Sequence, residues 1–115
     1  MADGIQGTGD SSLPPLSPSD RKQFEQEFKH GVDLFQRALS EYGKADEMNK
    51  KEAFREVMER AMQVINETAH ELHRGDLEKD AAKISKDFEK FQETNDQASQ
   101  KVLTQDLKEA KHRIH

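Results

Sequence analysis

Residues 76–115 read DLEKDAAKISKDFEKFQETNDQASQKVLTQDLKEAKHRIH, and whether they form one helix or two decides the architecture. Leu77, Ala81, Ile84, Phe88 and Phe91 recur at the three- and four-residue spacing of one helix face. Thr94-Asn95-Asp96-Gln97 interrupts that pattern, and Leu103, Leu107, Ala110 and Ile114 resume it, displaced by one residue. Thr94 with Gln97 matches a capping box, which would start a new helix after a turn at 94–97. No Gly or Pro forces a break, and Gln, Ala, Ser and Lys all tolerate helix. The reading therefore favours one helix over 76–113, with a local change of winding where the seam shifts.

Two further helices precede it. Ser17 is placed to cap, Pro18 suits a first helical position, and Asp20 favours the positive end of the macrodipole. Helix 1 is expected over about residues 18 to 42. Its seam is Phe24, Phe28, Gly31, Phe35, Ala38 and Tyr42, widened by Val32 and Leu39, and Gly43 supplies the stop. Helix 2 is expected from near Asp46 to about Arg74, on the seam Phe54, Met58, Ala61, Ile65, Thr68 and Leu72. Gly75 closes it and Asp76 follows as the next N-cap. The fold expected is all-α: an antiparallel helical bundle of three long helices, or four with a turn at 94–97, with heptad-like seams.

Residues 1–16, MADGIQGTGDSSLPPL, are rich in Gly, Ser and Pro and lack an apolar pattern, so a disordered tail is expected ahead of one domain over 17–115. The chain has 115 residues, is 36% charged and carries a net charge of −5, enough for a single modest core. All its Lys and Arg follow residue 20, outnumbered there by acids, so no basic face marks a nucleic-acid partner. Without Cys there is no disulfide, thiolate nucleophile or Cys-ligated zinc. Apolar runs are too short for a membrane span, and a secretory signal pattern is missing. The expected location is cytoplasmic, with export by a signal-independent route left open.

The sequence carries no nucleophile elbow, phosphate-binding Gly-rich loop or H-E-x-x-H pair, so no enzyme, cofactor or small-molecule substrate is expected. Three histidines follow a Glu by three residues: Glu27/His30, Glu67/His70 and Glu109/His112. Di-iron bundles place such units in their cores. At about 100° per residue these pairs face away from their seams, which leaves at most a surface metal site at Glu67, His70 and His73. The run Ala69-His70-Glu71-Leu72-His73-Arg74-Gly75 resembles the phosphoacceptor segment of histidine phosphotransfer domains, helical bundles whose signature is roughly Ala-His-x-Leu-Lys-Gly. The resemblance covers seven residues and implies His70 as phosphoacceptor. His73 stands where that family has Lys, and Gly75 comes one residue late.

The function expected is non-catalytic protein–protein interaction through amphipathic helices, as in scaffold, adaptor, chaperone-like or secretion-apparatus components. Phosphotransfer or metal binding at His70 is the alternative. A continuous helix over 76–113 would span about 57 Å against about 36 Å for helix 1. Leu103, Leu107, Ala110 and Ile114 would then project uncovered, as the surface for a helical partner or a second copy of the chain.

Overall fold

The computed structural model describes residues 16–114, which form four helices and no strand. They are α1 Pro18–Lys44, α2 Met48–Leu72, α3 Gly75–Thr94 and α4 Gln97–His112. The apolar seams direct the packing. α1 lies against α2 and α4, and α3 lies against α2 and α4, within an envelope of 58 × 27 × 21 Å.

α1 starts as its first residues dictate. The Ser17 side chain accepts from the Asp20 backbone N–H at 3.1 Å, and Pro18 occupies the first turn, where its missing N–H costs nothing. Phe28, Gly31, Val32, Phe35, Ala38 and Leu39 are buried, with Phe24 and Tyr42 half-buried at the ends of the seam. In α2, Met58, Ala61, Met62, Ile65, Thr68, Ala69 and Leu72 are buried. The Phe35 and Phe88 rings meet edge to face at 5.0 Å, and those of Tyr42 and Phe91 at 5.5 Å, tying α1 to α3.

The helix ends depart from the expectations built on glycine. Gly43 lies inside α1, which runs on to Lys44. A Cβ there would come within 2.9 Å of Gln100 Nε2, so the glycine leaves room for that side chain of α4 rather than stopping the helix. Gly75 begins α3 instead of closing α2. The left-handed residue at the end of α2 is His73, at φ 54°. α2 begins at Met48, two residues after Asp46.

The largest departure is at 94–97, where the chain turns. Asn95 takes the left-handed conformation at φ 54°, its N–H bonding to Phe91 O, and ends α3. Asp96 caps α4, accepting from the Ser99 N–H at 2.9 Å. The capping side chain is thus Asp96 rather than Thr94, whose hydroxyl meets Ser99 Oγ at 2.9 Å. Tyr42 reaches over from α1 and donates to Asn95 Oδ1 at 3.0 Å. Three long helices are corrected to four because Asn, without help from Gly or Pro, bears a left-handed turn.

Of the tail expected over residues 1–16, residues 1–15 lie outside the described residues. Leu16, the last residue of that expected tail, is half-buried against the core.

Candidate functional site

The stripe expected to project from the protein is in its interior. Leu103, Leu107 and Ala110 have no exposed surface and Ile114 retains 6%. The turn at Asn95–Asp96 folds α4 back onto α3 and α1, which supply the cover that a continuous helix would lack. The expectation of an uncovered stripe is corrected accordingly.

Glu67, His70 and His73 stay on the surface as their phase requires. The His70 and His73 rings lie 6.1 Å apart, centroid to centroid, and tilted. Among the described residues no group of three or more His, Asp or Glu is arranged to hold a metal ion. His70 sits in the last turn of α2, exposed.

What the geometry does concentrate is charge between α3 and α4. Leu77, Ala81, Ile84, Phe88 and Phe91 form the apolar face of α3, and Asp80 and Asp87, seven residues apart, border it on one side. Opposite them stand Asp106 and Glu109 on α4 and Arg113 at its C-cap. Arg113 Nε donates to Asp80 Oδ2 at 2.6 Å, and this bond with the Asp80 charge holds the guanidinium above its usual basicity. Lys83 Nζ lies 3.4 Å from Asp106 Oδ1 and 3.5 Å from a Glu109 oxygen. Its ammonium form is favoured first by Asp106 and then by Glu109.

Asp106 is the unusual member. It is 4% exposed and set among Leu103, Leu107 and Ala110. Burial, then the Asp87 hydrogen bond and the Asp87 charge, push its carboxyl up to about 7, against the opposing pull of Lys83. Oδ2 has no donor among the surrounding protein groups. Its Oδ1 is paired with Lys83, which leaves Oδ2 as the unpartnered atom of a buried acid. Asp87, Lys90, Ala98, Ser99 and Val102 line a crevice of about 110 Å³ between α3 and α4.

A second polar group fastens the opposite end of α3. Arg74 donates twice to Asp76, at 3.2 and 2.7 Å, reaches Glu25 of α1 at 3.6 Å and donates to Arg113 O at 3.3 Å. One guanidinium thereby joins the α2–α3 connection to α1 and to the end of α4, and its bond holds Asp76 below the usual carboxylate range.

The sequence held a signal for Asp106 that seam-reading passes over. It lies three residues after Leu103 and four before Ala110, so helical phase alone sets an acid beside a buried stripe. No family model, curated protein or solved structure matches this chain.

Proposed function

We propose that the chain is a non-catalytic protein–protein interaction module, an antiparallel bundle whose fourth helix is exchanged with a second copy. The short connections Ala45–Glu47, His73–Arg74 and Asn95–Asp96 support the antiparallel order, since each leaves room only for the chain to double back. Leu103, Leu107, Ala110 and Ile114 are then the interaction surface, satisfied within one chain or between two.

The observation that carries this reading is the Asn95–Asp96 turn. It is two residues long, contains neither Gly nor Pro, and depends on a non-glycine residue in the left-handed region. Residues on both sides are helical, so rotating Asn95 and the extended Asp96 (φ −112°, ψ 167°) to helical dihedrals would join α3 and α4 into one straight helix. The groove that α4 leaves on one copy fits the identical α4 of another, which makes a second copy the partner of guaranteed complementarity. An unsatisfied carboxyl oxygen in the middle of α4 makes its seat the least complete of the polar contacts described above.

Sedimentation equilibrium of the full chain, refolded across a range of concentrations, tests the proposal. The mass is expected to rise from that of the 13.2 kDa monomer toward twice that value. Asn95→Ala favours the straight helix and should tighten association about tenfold or more, while Asn95→Gly favours the turn and should weaken it. A monomer at every concentration in both the parent and Asn95→Ala would refute the proposal. So would a dimer indifferent to residue 95.

A further inference from the structure

We propose that Tyr42 is an autoinhibitory clasp on the α3–α4 turn: its hydroxyl bonds the turned form of Asn95 alone, and so restrains α4 from leaving its own chain. The clasp rests on the α4-exchange reading for its purpose. The contact that makes it is a property of one chain.

Three helices fix where the Tyr42 hydroxyl lies. Tyr42 stands in the last turn of α1, half-buried, its ring edge to face with Phe91 of α3 at 5.5 Å. Lys51 of α2 lies over the same ring, its Nζ 5.2 Å from the centroid. Held between them, the ring carries its hydroxyl to Asn95 Oδ1 at 3.0 Å. The next residue, Gly43, leaves room for the Gln100 side chain of α4. The end of α1 therefore meets the turn on both sides, at the residue that ends α3 and in the first turn of α4.

The Tyr42 contact distinguishes the two backbone forms of the turn. The Asn95 N–H bonds to Phe91 O, as it would in a continuous helix, so α3 fixes the Asn95 nitrogen in either form. What differs is φ, 54° in the turn against about −63° in a helix. That rotation, about 117° around N–Cα, swings the Cβ and its carboxamide to another side of the chain. The left-handed form presents the oxygen to Tyr42 and the helical form withdraws it. A contact made in only one of two conformations biases the equilibrium between them by its whole net strength. For an exposed neutral hydrogen bond that is about two- to tenfold in an equilibrium constant. Both chains of an exchanged pair are helical at residue 95, so each gives up one Tyr42 bond. The clasp therefore enters the association constant as the square of its effect on one chain.

The native chain has no Cys, which allows a single-chain test. Ala110 of α4 has no exposed surface, so the thiol of Ala110→Cys reacts with an aromatic disulfide reagent only when α4 opens. Labelling of the full chain in dilute solution is measured in Ala110→Cys alone and combined with Tyr42→Phe, Asn95→Gly or both. The cost of the added thiol is common to all four proteins and cancels. Tyr42→Phe keeps the ring and removes the hydroxyl, and should speed labelling about two- to tenfold. It should have no effect once Asn95→Gly has removed the carboxamide, as a double-mutant cycle on one contact requires. Sedimentation equilibrium of Tyr42→Phe without the added thiol should show association tightened about four- to a hundredfold, the square of the single-chain factor. Unchanged labelling in Tyr42→Phe, or equal acceleration with and without the Asn95 carboxamide, would overturn the clasp. Labelling that follows the cycle in a chain monomeric at every concentration would instead sink the exchange reading alone.

Discussion

His73 and Asp106 each hold a conformation or a charge that their own chemistry disfavours. A non-glycine residue at φ 54° carries the left-handed penalty, and His73 meets it at the exposed end of α2 with only a tilted contact to His70 in return. His73→Gly should therefore raise stability by about 1 kcal/mol in urea unfolding, since relief of that penalty exceeds what the exposed ring contributes. Asp106 reverses the usual behaviour of a carboxylate. Its folded value is raised, so it withholds stability at high pH and contributes it as pH falls through about 7 toward 4. Asp106→Asn is expected to exceed the parent by about 1–3 kcal/mol at pH 8, the cost of an unsatisfied buried acid, with the gap closing by pH 5. Equal stabilities of the two proteins at pH 8 would mean that the carboxyl is solvated. Neither feature was legible as a motif. A histidine in place of the expected Gly75 at the end of α2 leaves no compositional mark, and an acid beside a seam looks like any solvated helix face until the facing helix is known.

The helices themselves were legible, and for a physical reason. Each apolar seam must meet another, so the spacing of Phe28, Phe35 and Ala38, or of Met58, Ile65 and Leu72, fixes which face is buried before any neighbour is known. The same spacing identified Leu103, Leu107, Ala110 and Ile114 as one face but could not say what covers it. That depends on the backbone at Asn95 and Asp96, where helix and turn differ by an energy smaller than the seam contributes. Burying large aliphatic side chains is worth about 1.5–3 kcal/mol each, which outweighs the left-handed penalty and draws α4 back onto α1 and α3. Leu107→Ala should accordingly cost about 2–5 kcal/mol in global unfolding, as a truncation in a packed core. A loss well under 1 kcal/mol would place α4 outside the cooperative unit.

Across the whole molecule, one core joins all four helices, and Phe35 occupies its centre against Phe88. Phe35→Ala should cost about 3–5 kcal/mol, a large part of the roughly 5–15 kcal/mol available to a small domain. Among the described residues, the large hydrophobic side chains that remain exposed, Met48, Val64 and Val102, lie on different stretches of the chain. The association proposed through α4 would therefore exchange contacts already present instead of adding a new face. The most direct measurement of that exchange is a distance between α3 and α4 within one chain. The protein has no native Cys, so spin labels at Lys79→Cys and Lys108→Cys report only these two exposed sites. Diluted with unlabelled protein so that each dimer holds one labelled copy, the pair should show a population near 43 Å, the rise of a straight helix over about 29 residues. That population should grow with concentration and in Asn95→Ala. Finding only the short separation of the folded-back helices, in samples whose mass is that of a dimer, would contradict the account.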